Sequence, residues 1–480
     1  VKAHEKYEVF IGLEIHIHLK TRSKMFCSCK AHYGDEPNTN VCPVCLGYPG
    51  TLPLVNEKAM ELGYLVARSL GCKTAERSSF ARKNYFYPDM PKNYQISQFE
   101  EPVGTDGAVE ADFGGGASRK IRIHDVHLEE DAGKMIHAGD VTLLDYNRAG
   151  FPLLEIVTEP DLKSGEETEA FLRDFQRLVR YLGVSDGNMD EGSMKCDANI
   201  SINLPGKGLG TKVELKNMNS PRFVRLALNH EIIRQAEVLD AGGSLVQETR
   251  LWNENRDITE IMRRKEAADD YRYFPEPDIP PFFPDEAFLE KVENGMVELP
   301  LEKKRRLHSE YGLSREQAEF IHDEAETAHF FEETVKSGAS PQQAASWLSS
   351  DIRKLLNREN LSLVESPLTA GRFSSLLKLI NDGRISGKIA KKVLEKIFKD
   401  NLDPETIVEN EGWSQISDPV ELTSLVEKVM KENPGVVSAV RAGDVRQKGF
   451  LMGQVMRYSD GKAAPELTGK ILDEKLEEKE

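Results

Sequence analysis

Twelve consecutive residues, Glu8-Val9-Phe10-Ile11-Gly12-Leu13-Glu14-Ile15-His16-Ile17-His18-Leu19, constrain the fold of this chain more than any other stretch. Positions 9, 11, 13, 15, 17 and 19 are all apolar. Side chains on a strand alternate between two faces, so this period of two predicts a β-strand with one face in a core. Glu14, His16 and His18 must then share the opposite face. That face is either solvated or lines a site for a metal ion or a phosphate, because a carboxylate with two imidazoles suits both.

Other segments carry the same signature. In Lys195-Cys196-Asp197-Ala198-Asn199-Ile200-Ser201-Ile202 the even positions are core-like, leaving Asp197, Asn199 and Ser201 on the polar side. Pro152-Leu153-Leu154-Glu155-Ile156-Val157 is apolar except for Glu155, a costly place for a carboxylate unless it is paired or metal-bound. Ahead of it lie Ile121-Arg122-Ile123-His124-Asp125-Val126-His127-Leu128-Glu129-Glu130-Asp131-Ala132-Gly133-Lys134 and Asp145-Tyr146-Asn147-Arg148. Separate strands that each present an acid or an imidazole point to one lined cavity, with scattered surface charge as the alternative. A cavity of hard oxygen donors suits Mg²⁺, which takes one or two carboxylates and keeps positions for phosphate oxygens.

The cysteines are more specific. Cys27-x-Cys29, followed by Cys42-x₂-Cys45, supplies two thiolate pairs on two knuckles, as a tetrahedral Zn²⁺ site requires. Closed four-cysteine sites are structural as a rule, so a stapling role is expected. Cys72 and Cys196 stand apart and read as free thiols.

The chain changes texture along its length. Up to about Pro284 it is β-rich, with two well-signalled helices. Ser164 caps one that runs to about Leu182 and stops at Gly183, and Ser220-Pro221 opens another that ends at Ala241-Gly242-Gly243. From about Phe288 onward the pattern is helical. Prolines place a boundary in Tyr271-Arg272-Tyr273-Phe274-Pro275-Glu276-Pro277-Asp278-Ile279-Pro280-Pro281, and a weaker one falls near Glu405. These features predict an α+β first part with mainly antiparallel strands and packed helices, then helices only. No apolar run approaches a membrane span and no signal core precedes the first strand, so a cytoplasmic protein with no membrane association is expected.

The formal net charge of −17 argues against coating nucleic acid through bulk charge. Residues 371–400 are the exception, with eight Lys or Arg against three acids, so a polyanion would meet the late part of the chain. Two glycine-rich runs, Phe113-Gly114-Gly115-Gly116 and Gly206-Lys207-Gly208-Leu209-Gly210-Thr211-Lys212, match no nucleotide-binding fingerprint and read as hairpin turns. Lys212, Glu214 and Lys216 alternate along a run that is either a phosphate clamp, with both lysines on a bound nucleotide, or an exposed edge. Arg82-Lys83-Asn84-Tyr85-Phe86-Tyr87-Pro88-Asp89 mixes cations with aromatics, the ingredients for holding a nucleotide or an RNA end, or simply a pinned loop. No glutaminase signature is present.

Taken together, these motifs resemble the B subunit of glutamine-dependent aspartyl/glutamyl-tRNA amidotransferase, the GatB/GatE family. The resemblance is carried by Ile11-Gly12-Leu13-Glu14-Ile15-His16, Lys83 to Asp89, Gln95-Ile96-Ser97-Gln98, His127 to Lys134, Pro152 to Val157, Glu191 to Asn199 and Asp270 to Asp278. In the tail, Ser386 to Lys392 and Lys448 to Gln454 carry it.

The resemblance implies a catalytic cradle domain over residues 1–290 with a four-cysteine zinc knuckle, a helical domain over 291–404 and a helical, tRNA-binding YqeY-like tail over 405–480. It implies ATP-dependent phosphorylation of the side-chain carboxylate of Glu-tRNA(Gln) or Asp-tRNA(Asn). Ammonia from a partner amidase, GatA, would then give the amide, with a small protein, GatC, strapping the two together. It further implies His16, Glu129 and Glu155 as ligands of the catalytic Mg²⁺, Glu14 as a second ligand or orienting group, and Asp197 as a further candidate. Lys83 and Tyr85 would meet the nucleotide or the terminal adenosine of the tRNA. The competing readings are a non-enzymatic zinc-ribbon scaffold that binds tRNA, and a kinase that works without partner proteins.

Overall fold

The computed structural model describes residues 6–114, 117–264, 271–416, 418–459 and 461–478. Gly115 and Gly116 of the first glycine run, and Asp270 of the proline-flanked motif, lie outside these. The chain divides into two compact units, Val1–Lys303 and Lys304–Glu480.

The first unit is built on one large sheet. Its strands are β1 (Glu8–His18), β2 (Lys73–Thr74), β3 (Ala81–Asn84), β4 (Tyr94–Ser97), β5 (Gly104–Asp112) and β6 (Ser118–Glu130). A small separate hairpin, β7 (Lys134–Ala138) with β8 (Val141–Asp145), follows β6. The sheet continues with β9 (Pro152–Thr158), β10 (Met194–Asn203), β11 (Val213–Lys216), β12 (Glu248–Asn253), β13 (Ile258–Arg264) and β14 (Phe274–Pro275). The spatial order is β13-β12-β11-β10-β1-β9-β6-β4-β3-β14, with β5 on β6 and β2 on β5. Among the described strands only β11 and β12 pair in parallel.

β1 takes the middle of this order because it is the strand with the most complete alternation. Its residues Val9, Ile11, Leu13, Ile15 and Ile17 are all buried. They share a core with Cys196, Ala198, Ile200 and Ile202 of β10 and Leu154 and Ile156 of β9. Four helices complete that core: α1 (Glu57–Ser69), α2 (Gly165–Tyr181), α3 (Pro221–Asp240) and α4 (Glu286–Asn294). The hydroxyls of Ser164 and Ser220 accept the Glu167 and Phe223 N–H groups, so the two expected caps are formed. Helix α1 is capped by Asn56, whose side chain accepts the Ala59 N–H. It packs on β5 and β6, where Gly107 permits the approach, since a Cβ there would lie 2.8 Å from the Leu70 carbonyl oxygen. Phe288 and Val292 of α4 belong to the same core, so the first unit runs past the proline-rich segment and past residue 290.

The second unit is helical and contains two separate apolar clusters, one from Leu307 to Val408 and one from Leu422 to Leu472. The basic stretch spans the helices Ala370–Asn381 and Gly387–Asp400, and most of its cations lie on the second. Ala390, Val393, Leu394 and Ile397 are buried there, while Lys388, Lys391 and Lys392 are exposed. Among the described residues, no helix is long and apolar enough to cross a membrane.

The position of β1 makes its buried residues the most sensitive to truncation. Ile15→Ala is expected to cost about 2–5 kcal/mol, measured by denaturant unfolding, through lost burial and an uncollapsed cavity.

Candidate active site and cysteine knuckle

The register of the sheet gathers the polar residues of several strands on one face. His16 lies opposite Glu155 of β9 on one side and Lys195 of β10 on the other. Glu155 is in turn opposite His127 of β6. Glu14 faces Asp197, and Asn199 faces Glu214 of β11. Each of these pairs shares a face because directly opposed residues on neighbouring strands point the same way.

The side chains meet accordingly. His16 Nε2 is 3.1 Å from Glu155 Oε2 and 3.7 Å from Glu129 Oε1. The ligand atoms of His16, Glu129 and Glu155 all lie within 4.8 Å of one another. The three groups, two carboxylates and an imidazole, are close enough to share one divalent metal ion. Ser97 Oγ donates to Glu129 Oε2 at 3.3 Å and orients it.

His127 belongs to this cluster, although its sequence position gave it no assigned role. Its Nε2 is 3.2 Å from Glu155 Oε2 and its Nδ1 is 2.7 Å from Asp125 Oδ1. Glu155 therefore sits between two imidazoles. Burial opposes a charge on His16, but the carboxylates of Glu155 and Glu129 outweigh it and push its pKa up to about 9. His127 is raised well above its ordinary value in the same way, Glu155 and Asp125 overcoming burial. Burial, with the Glu155 charge, raises Glu129. Glu155 is held well below the usual carboxylate range, the two imidazoles outweighing its burial. An imidazolium and a divalent cation are thus alternative ways of neutralising the same two acids.

A second acidic set adjoins the first. Ligand atoms of Glu14, Asp197 and Glu214 also lie within 4.8 Å of one another. Lys216 Nζ sits among them, bonded to Asp197 and 3.1 Å from Glu214 Oε1. Asn199 Nδ2 donates to Glu14 Oε1 at 2.8 Å, and Thr249 Oγ1 to Glu214 Oε2 at 2.7 Å. β11 is an interior strand, not an exposed edge. Lys212 precedes it and is exposed.

Lys83 lies at the end of β3. Burial lowers its pKa, but Glu129, Tyr273 and Glu155 raise it further, which puts its ammonium in the field of the acidic cluster. Its Nζ is 4.9 Å from the centre of the Tyr271 ring. With Tyr85, Phe86, Tyr87, Gln95 and Tyr271 it lines a cleft of about 400 Å³. A cation beside aromatic faces at the mouth of an acidic pocket can hold a base and a phosphate together.

The four cysteines of the knuckle converge, with sulfurs all within 4.8 Å of one another and Cys42 Sγ to Cys45 Sγ at 3.9 Å. Tetrahedral zinc with Zn–S bonds of about 2.3 Å sets sulfurs about 3.8 Å apart, so the cluster is able to hold a zinc ion. The Cys42 N–H points at Cys45 Sγ at 3.2 Å. Hydrogen bonding with Cys27, helped by that N–H and by Lys24, draws the Cys45 thiol down to about 5 despite its burial. Cys72 and Cys196 are buried free thiols.

The knuckle is laced to the segment that follows β8. Met25 N–H donates to the Gly150 carbonyl at 2.8 Å, Asn40 N–H to Asn147 Oδ1 at 2.8 Å, and Asn147 Nδ2 to the Glu36 carbonyl at 2.7 Å. Arg148 then reaches Asp131 at 3.2 Å, and Asp131 Oδ2 lies 2.7 Å from His18 Nε2 on the polar face of β1.

Comparison with known proteins agrees with this architecture. Residues 9–290 match the GatB/GatE catalytic domain and residues 329–476 the GatB domain of the YqeY type. The B subunit of an aspartyl/glutamyl-tRNA(Asn/Gln) amidotransferase from Carboxydothermus hydrogenoformans is 44% identical over 477 residues, covering 98% of this chain and 99% of the relative. Proteins of the same name from Picosynechococcus sp. and Thermoanaerobacter pseudethanolicus are 46% and 47% identical; the alignments cover 98% of this chain in both cases, and 98% and 99% of those relatives. A motif-dense match across both units, with the His16–Glu129–Glu155 cluster inside the catalytic part, places the chain in the GatB/GatE family.

Proposed function

We propose that this chain amidates misacylated tRNA as the carboxylate-activating member of a tRNA-dependent amidotransferase. A carboxylate is a poor acyl electrophile near neutral pH and needs a phosphate leaving group before an amine can displace it. The side-chain carboxylate of Glu-tRNA(Gln) or Asp-tRNA(Asn) attacks the γ-phosphorus of ATP, and ADP leaves. Ammonia then attacks the acyl carbon of the acyl phosphate, and inorganic phosphate departs with its bonding electrons. The ammonia comes from a separate amidase, GatA, with the small protein GatC as the third member. This fits a chain whose sequence carries no glutaminase signature.

The observation that carries this reading is the convergence of His16, Glu129 and Glu155 on one sheet face beside the Lys83 cleft. Mg²⁺ held there would offset the charge on the transferring phosphoryl group, the dominant requirement of such chemistry. Ser97 and His127 orient Glu129 and Glu155. Lys83 supplies a fixed positive charge, and Tyr85 with Tyr271 forms an aromatic wall for the nucleotide or the terminal adenosine of the tRNA. Glu14, Asp197 and Glu214, with Lys216 among them, form the neighbouring carboxylate set that orients the first or accepts a second ion. Lys212, exposed ahead of β11, is a further candidate contact for the nucleotide. The chemistry is assigned to the cradle of the first unit and the tRNA contacts to the helical parts, whose first core runs past the expected division at 404 to Val408.

Reconstitution with GatA, GatC and each misacylated tRNA tests the reading. ATP cleavage that depends on misacylated tRNA is expected, and a scaffold would show none. Glu155→Ala should reduce that cleavage by more than about 100-fold while glutamine hydrolysis persists, because even outer partners of a metal are worth 10–100-fold. Normal amidation by this variant would refute the metal assignment. Changing Lys388, Lys391 and Lys392 together to Ala should weaken tRNA affinity and flatten its log–log salt dependence by about one for each phosphate no longer neutralised. Chelation of zinc should lower the melting temperature by about 2–4 °C for each kcal/mol of staple removed, read by calorimetry.

A further inference from the structure

Lys24 is fully buried, with no accessible surface. An ammonium in such a place needs counter-charge and acceptors for its three protons, or its desolvation is uncompensated. Lys24 Nζ has two partners: the Tyr146 carbonyl oxygen at 3.2 Å and Cys45 Sγ at 3.7 Å. Among the described residues no carboxylate oxygen lies within ion-pair distance of it. Glu130, which lines the same cavity of about 230 Å³, is taken by Lys92 and by the Ile96 N–H.

The charge missing beside Lys24 is present on the knuckle when its four cysteines hold zinc. Four thiolates around one Zn²⁺ carry a net charge of minus two, and a dianion withdrawn from water on its Cys45 side is costly in the same way as a buried ammonium. Placing one beside the other relieves both. We propose that Lys24 is the charge-compensating partner of the four-cysteine zinc site, a positioning residue that acts on the metal through Cys45. The inference rests on the zinc reading of the knuckle. It goes beyond that reading by tying zinc affinity to a side chain outside the ligand set. The same ammonium holds the Tyr146 carbonyl, so it also ties the loaded knuckle to the segment that carries Arg148 toward Asp131.

A thermodynamic cycle between Lys24→Met and zinc tests this on the full chain. Zinc content and affinity are read by competition with a chromophoric chelator, and melting temperature is read with and without zinc. The wild-type chain is expected to bind one zinc through the knuckle. Lys24→Met should bind it about 10–100-fold more weakly, the usual cost of losing an outer partner of a metal. Without zinc, Lys24→Met should melt at or above the wild-type temperature, because an apolar side chain of similar length removes a buried charge. Lys24→Arg, which keeps the charge, should recover most of the affinity.

A wild-type chain without zinc would overturn the zinc reading and this proposal with it. Zinc binding in the wild type with unchanged affinity in Lys24→Met would overturn the proposal alone. A Lys24→Met chain that is destabilised equally with and without zinc would do the same, showing that the lysine serves the fold and not the metal.

Discussion

The register of β1 against β9 and β10 is the constraint on which the rest of the first unit depends. His16 is opposite Glu155 on one side and Lys195 on the other, and every second residue of the strand enters the core. A slip of one residue would turn Ile15 and Ile17 toward the polar face and drive Glu14 and His16 into the apolar core. The hydrophobic effect therefore sets the geometry of the polar cluster. The acids and imidazoles need not attract one another strongly to be aligned, because the buried residues between them leave one register.

This separation of roles explains how so many ionisable groups are tolerated together. Taken alone, Glu129 and Glu155 repel each other and are partly or wholly withdrawn from water. The imidazoles of His16 and His127 offset the repulsion without filling the pocket, and Lys83 adds charge from the neighbouring cleft. A site assembled in this way is preorganised before any substrate arrives, so little reorganisation is left for the reacting state.

Much of this was legible in the residues. The alternation of β1, the caps at Ser164 and Ser220, and the spacing of Cys27, Cys29, Cys42 and Cys45 each have a local physical cause that a sequence exposes. The placement of His127 and Glu129 was less legible for an equally physical reason. The ladder between β6 and β9 shifts register between Ile123 and Asp125, so the buried positions change from 121 and 123 to 126 and 128. A strict period of two continued through the bulge would bury His127 and Glu129 in the apolar core. Helix α1 has local signals in the Asn56 cap and in Gly71 just past its end, but it is buried on most sides from Ala59 to Ser69, which blurs its apolar stripe. Glu214 read as the middle of a lysine pair, and only the pairing of β11 with β10 brings it to Glu14 and Asp197. The family resemblance supplied what periodicity alone left open.

Among the described residues, the buried apolar side chains fall into three clusters. One core fills the first unit, while the helical unit holds two smaller ones that share no buried residue. All-or-none unfolding needs every part to lose its packing together, and separate interiors do not impose that. Heating should therefore dismantle the molecule in stages, each with its own midpoint, and the first unit's transition is the one whose melting temperature zinc moves.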